Sequence, residues 1–169
     1  MKNKAFTLTE VLVYISVAFV VISAIVGFVF WLVNSNHKNR IARETANSAK
    51  RAMEIMDFEI KNAKAVYAPT TLANQLSLES VRYLPEGEIS SYVDFYLCGI
   101  QLCLKKESQD PIVLTPESLG VSNLNFTYIK NGSFESVKIN LTLDYKNPSG
   151  RPEYNFSYTL NSAVSLRSY

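Results

Sequence analysis

The sequence predicts an α+β protein: a long N-terminal helix, part membrane span and part amphipathic stalk, packed on an antiparallel β-sheet meander. Three observations predict it. Residues 11–33 form a run of 23 residues without a charge. Residues 37–67 place small or apolar side chains at three- and four-residue steps. From residue 70 onward the apolar period changes to two.

The apolar run comes first. About 20 apolar residues cross a bilayer core as a helix, so VLVYISVAFVVISAIVGFVFWLV is a candidate span. A buried core helix is the alternative, but a small domain seldom hides a segment that is apolar on every face. An ordinary secretory signal is a poor reading. Lys2 and Lys4 supply a basic start, but the run is too long, and no small-x-small site follows Val33.

The stalk follows. Ile41, Thr45, Ala49, Ala52, Met56, Ile60, Ala63 and Tyr67 make one helical face, with Lys, Arg, Glu and Asn on the others. Pro69 is expected to end the helix. A single helix from Phe6 to Tyr67 would be about 90 Å long. The basic residues Lys38, Arg40, Arg43, Lys50 and Arg51 read as contacts for anionic headgroups or a solvated face. DNA is the other reading, but no aromatic residue is interleaved there to stack on bases.

The sheet is read from alternation. Leu76, Leu78, Val81 and Tyr83 suggest a first strand, and Val93, Phe95 and Leu97 a second. Leu124, Phe126 and Tyr128 precede Asn131-Gly132, a hairpin signal. Val137 to Tyr145 alternate next, then Tyr154, Phe156, Tyr158 and Leu160 after an Asn-Pro-Ser-Gly loop. If Ile100 and Gln101 form a turn, Cys98 and Cys103 sit opposite each other, at a cross-strand spacing of about 5 Å that permits a disulfide. The alternative is two buried free thiols; a bridge requires an extracytoplasmic location.

Composition narrows the function classes. Two cysteines cannot fill a structural zinc site, and the single histidine, His37, follows the apolar run. No nucleophile–base constellation can be assembled, so no enzyme, catalytic residue, metal or cofactor is expected. A net charge of +2 is too small to argue for a nucleic-acid partner by itself.

The first ten residues, MKNKAFTLTE, carry the most specific signal. A short basic leader meets Ala5. Phe6, Thr7, Leu8, Thr9 and Glu10 follow, and the apolar run begins. A carboxylate at the edge of a span is costly and a functional candidate by default. The plain reading is an anion welcomed by the helix dipole. In this pattern the chain resembles the prepilin family of type IV pilins and type II secretion pseudopilins. That family most often has Gly where this chain has Ala5. The resemblance covers about the first fifth of the chain and implies a pilin-like fold. It implies cleavage between Ala5 and Phe6 by a prepilin peptidase, N-methylation of Phe6, and assembly into a filament through Glu10. The implied division is a leader at 1–5, a transmembrane and filament-core helix at 6–33, a stalk helix at 34–68 and a β-sheet domain at 70–169.

The expected function is therefore structural: a minor subunit of a type IV pilus or secretion pseudopilus. It would reside in the inner membrane with its C-terminal domain outside the cytoplasm, then in the filament. Counting positive charges alone would put the C-terminal side in the cytoplasm; the leader motif and the paired cysteines place it outside. The expected partners are the peptidase, other pilin or pseudopilin subunits and membrane lipid, with nucleic acid only in a DNA-uptake pilus. The competing reading is an uncleaved, membrane-anchored receptor whose β-domain binds a ligand. A plain anchor has no need of Glu10.

Overall fold

The computed structural model describes residues 7–82, 84–107, 109–132, 134–147, 150 and 154–167. The chain divides into two compact units, Met1–Asn39 and Arg40–Tyr169. One helix, α1, runs through Leu8–Asn62, 55 residues, about 80 Å at 1.5 Å each.

In the first unit every residue from Leu8 to Val33 is exposed. This stretch is long and apolar enough to span a membrane. Its few hydroxyls are compatible with lipid. Ser16 and Ser23 donate to the carbonyls of Leu12 and Phe19, each at 2.8 Å, so neither needs water.

In the second unit α1 changes character. Ile41, Thr45, Ala49, Ala52, Met53, Met56, Glu59 and Ile60 are buried. Their spacing of three and four makes one continuous face. It is the stripe the sequence predicts, widened by Met53 and Glu59. The helix ends at Asn62, seven residues before Pro69. A better use of the backbone ends it. Lys64 N–H donates to Glu79 O at 2.8 Å, Tyr67 N–H donates to Ser77 O at 2.9 Å, and Val66 pairs with Leu78. Ala63 remains buried, but Tyr67 lies outside the helix and is exposed.

The strands are β1 Ala65–Val66, β2 Leu76–Ser80, β3 Ser91–Cys98, β4 Gln101–Lys106, β5 Ile112–Val113, β6 Leu119–Asn131, β7 Phe134–Tyr145 and β8 Ser157–Ser165. They do not make the single meander expected. β1 to β5 form a five-stranded sheet and β6 to β8 a three-stranded sheet, each antiparallel and in sequence order. Two backbone bonds run from β6 to loops of the first sheet: Val121 N–H to Ile100 O in the β3–β4 turn and Phe126 N–H to Ala73 O before β2, each 2.7 Å. A bulge between Val121 and Asn123 shifts the register where β6 meets this junction.

One core joins the three layers. Met56 and Ile60 of α1, Leu76, Phe95 and Leu102 of the first sheet, and Val137, Ile139, Leu141 and Leu143 of the second are fully buried together. Three polar links tie α1 to both sheets: Glu59 to Lys106 at 3.3 Å, Ser118 Oγ to Glu44 at 2.8 Å, and Ser162 Oγ to Asp57 at 3.1 Å. The arrangement is α+β, a helix on antiparallel sheets.

Several strand boundaries differ from the alternation. β2 stops at Ser80, leaving Val81 half exposed, and Tyr83 lies outside the described residues. Tyr154 and Phe156 precede β8 instead of opening it. The β6–β7 hairpin closes on Asn131 opposite Phe134, so Gly132, at φ 59°, supplies the left-handed position and Asn131 is the last paired residue.

Near this hairpin Glu135 is a small electrostatic hub. Its carboxylate accepts from Lys130 Nζ at 2.8 Å and from the N–H of Val66 in β1 at 3.4 Å. The Lys130 hydrogen bond holds the Glu135 carboxyl below its usual range, helped by Tyr128 and the Val66 amide and opposed by burial. A depressed carboxylate contributes stability that is complete above its unfolded value, about 4.3, and is lost as pH falls through the lower folded value. Glu135→Gln is therefore expected to lower stability modestly at neutral pH and to flatten the acid limb of a pH–stability curve. The effect is small because Lys130 is 59% exposed. Thermal unfolding between pH 2 and 7 checks it; identical acid limbs for both proteins would contradict it.

Candidate functional site

The start of α1 is built by local hydrogen bonds. Thr7 stands at the N-cap. Its Oγ1 accepts from Glu10 N–H at 3.3 Å, and its carbonyl accepts from the N–H groups of Glu10 and Val11 at 3.1 and 3.2 Å. Thr7-x-x-Glu10 is thus a capping-box pattern, a signal present in the sequence beside the reading of Glu10 as an assembly residue. Glu10 is exposed in the first turn, where the helix dipole favours an anion. The chain beyond it offers no second charge until Lys38. Ala5 and Phe6, the expected cleavage pair and methylation site, lie outside the described residues. His37 and the cations Lys38, Arg40, Arg43, Lys50 and Arg51 are all exposed.

No protein-family model, curated protein or solved structure matches this chain.

The second feature is the β3–β4 hairpin. Cys98 and Cys103 are joined by a disulfide with Cα atoms 5.8 Å apart. The turn is one residue earlier than the sequence suggests. Cys98 pairs with Gln101 and Tyr96 with Cys103, which makes Gly99-Ile100 the two-residue loop. Gly99 takes φ 70°, a conformation that is costly for other residues, and so fixes the turn. The cysteines are therefore diagonal neighbours on one face of the hairpin, and not directly opposite. The bridge closes a very short loop, so it contributes at most about 2–3 kcal/mol. The native protein is expected to resist maleimide labelling until it is reduced; prompt labelling without reductant would contradict the bridge.

A groove of about 900 Å³ lies between α1 and the β4–β5 edge. Ile55, Phe58, Leu104 and Ile112 give it an apolar lining, and the Glu59–Lys106 pair lies in its wall. Phe58 also carries the guanidinium of Arg82 over its ring, 4.9 Å from the centroid. Among the described residues no three His, Cys, Asp or Glu side chains gather as a metal site. The sequence features thus fall in separate places: the capped carboxylate at the head of α1, the disulfide at a hairpin tip of the second unit.

Proposed function

We propose that this chain is a structural subunit of a type IV pilus or type II secretion pseudopilus, and a minor one. In this reading a prepilin peptidase removes residues 1–5, Phe6 becomes the methylated N-terminus, and α1 passes from the inner membrane into a filament. The carrying observation is the character of α1. A capped first turn bearing Glu10 leads into an apolar stretch exposed on every side, and the same helix then buries a stripe against two sheets. A membrane anchor alone accounts for the apolar stretch, and the helix cap alone accommodates a carboxylate at Glu10. What the prepilin pattern adds is the run of basic leader, Ala5 and Phe6 at a fixed distance before that carboxylate.

The physical role of Glu10 follows from solvation. A carboxylate carried into an apolar filament core needs a counter-charge, and the new amine of Phe6, in the same or a neighbouring subunit, supplies one. The small-to-apolar stripe at Ile41 to Ile60 is spent inside the second unit, so assembly falls to residues 6–33. The partners are other pilin-like subunits, the peptidase, and lipid before assembly. The N-terminal sequence and intact mass of the chain taken from native membranes test this reading.

A further inference from the structure

We propose that a depression on the outer face of the five-stranded sheet, beside Tyr67 and Tyr92, binds a small organic cation: an alkylammonium or guanidinium group. The depression measures about 310 Å³ and is bounded by Tyr67, Thr70, Tyr92, Asp94, Lys105 and Glu107. That volume accommodates a trimethylammonium or guanidinium group with the first atoms of its chain.

Its walls are held by backbone and side-chain hydrogen bonds that do not involve a ligand. Tyr67 N–H donates to Ser77 O, and Tyr67 O accepts from Thr71 Oγ1, both at 2.9 Å. Tyr92 N–H donates to a carboxylate oxygen of Glu107, and Glu107 N–H donates to Tyr92 O, again both at 2.9 Å. The two rings lie 4.9 Å apart and are tilted by 60°. Tyr67 remains 37% exposed, which leaves ring surface open to the depression.

Charge selects the ligand class. Asp94 lies two residues along β3 from Tyr92, on the same face, with Lys105 opposite it in register. Among the described residues neither Asp94 nor Lys105 closes an ion pair. Two carboxylates outnumber one ammonium around a pair of π faces, an environment that attracts a weakly hydrated cation and repels an anion. A metal ion is a poor fit, since among the described residues no third carboxylate, Cys or His joins the cluster. The site is independent of the assembly reading: the cation could be a free small amine or a Lys or Arg side chain of another protein.

The test uses the full chain in a nonionic maltoside detergent, titrated with choline chloride and, separately, with arginine amide, each against matched sodium chloride. Backbone amide NMR shifts of Tyr67, Tyr92 and Asp94 report binding. Saturable shifts are expected in the millimolar range for at least one probe, weakened by added salt. Tyr67→Ala is expected to weaken binding about fivefold or more, and Asp94→Asn severalfold, while Tyr67→Phe keeps the ring and stays within about twofold. Saturation by choline alone marks a free alkylammonium; saturation by arginine amide marks a protein side chain. No saturation by either probe up to about 100 mM, or undiminished binding by a folded Tyr67→Ala variant, overturns the proposal.

Discussion

Glu10→Ala is expected to leave the chain in the membrane and to remove it from assembled filaments. The variant loses a carboxylate whose placement at the edge of an apolar span costs a few kcal/mol, so insertion is unimpaired or improved. On the proposed reading, assembly then loses the counter-charge to the Phe6 amine. The fold of residues 40–169 is expected to be unchanged, because Glu10 belongs to the other unit. A second variant separates charge from capping. Gln at this position preserves the capping-box pattern with Thr7, which accepts either Glu or Gln. Glu10→Gln is therefore expected to fail in assembly nearly as completely as Glu10→Ala. Filament fractions sheared from cells, probed beside the membrane fraction, provide the readout. Normal incorporation of Glu10→Gln with failure of Glu10→Ala would assign the residue to the helix cap. Normal incorporation of both would remove Glu10 from assembly altogether.

Lys106→Ala is expected to destabilise the helix–sheet contact strongly. Glu59 sits on the buried face of α1 at 5% side-chain exposure, and Lys106 meets it from β4 at 3.3 Å, itself 17% exposed. Breaking such a pair from one side costs about 3–5 kcal/mol, because the buried carboxylate keeps its desolvation penalty and loses the Lys106 ammonium. Replacing both ends with apolar residues is a different experiment. Glu59→Met with Lys106→Met removes the charges together and is expected to be close to neutral in stability, or stabilising. For a unit of this size the single variant corresponds to a fall in Tm of more than about 10 °C. Near-ultraviolet circular dichroism of the chain in detergent, followed through thermal unfolding, measures both. Equal destabilisation by the single and double variants would mean that the pair contributes through packing and not through charge.

What the sequence disclosed follows from the length of each pattern. The apolar run and the stalk stripe span many helical turns, so the period is unmistakable, and six of the eight stripe residues named from sequence are buried in α1. The long strand β7 alternates from Val137 to Leu143 and is equally plain; β6 alternates only from Leu124 to Tyr128, beyond its bulge. Short or fully covered segments are not plain. β1 and β5 have two residues each and no period at all. β4 buries Leu102, Cys103 and Leu104 in succession, which erases the alternation of a half-exposed strand. The division into two sheets is a matter of long-range pairing and leaves no mark on local period. Tyr154 and Phe156 alternate in the manner of a strand, yet lie outside β8. A carboxylate on a helix reads as solvent-facing in a sequence, and the ammonium that Glu59 meets lies 47 positions away in β4.

The candidate site shows the same division. Glu10 is conspicuous because it is the one acidic residue before a long uncharged run. The disulfide pairing is legible from spacing, but the turn falls one residue earlier than Ile100-Gln101, because Gly99 supplies the left-handed position. Tyr67 and Tyr92 meet only through the pairing of β1 and β3 with β2, which no local pattern announces.

The most direct test of the central claim is the intact mass and N-terminal sequence of the protein extracted from membranes of cells that retain their own peptidase. The account predicts a chain that begins at Phe6 and carries one added methyl group. A chain that still begins at Met1 would contradict it, and would leave an uncleaved anchor bearing a ligand-binding β-domain as the better description.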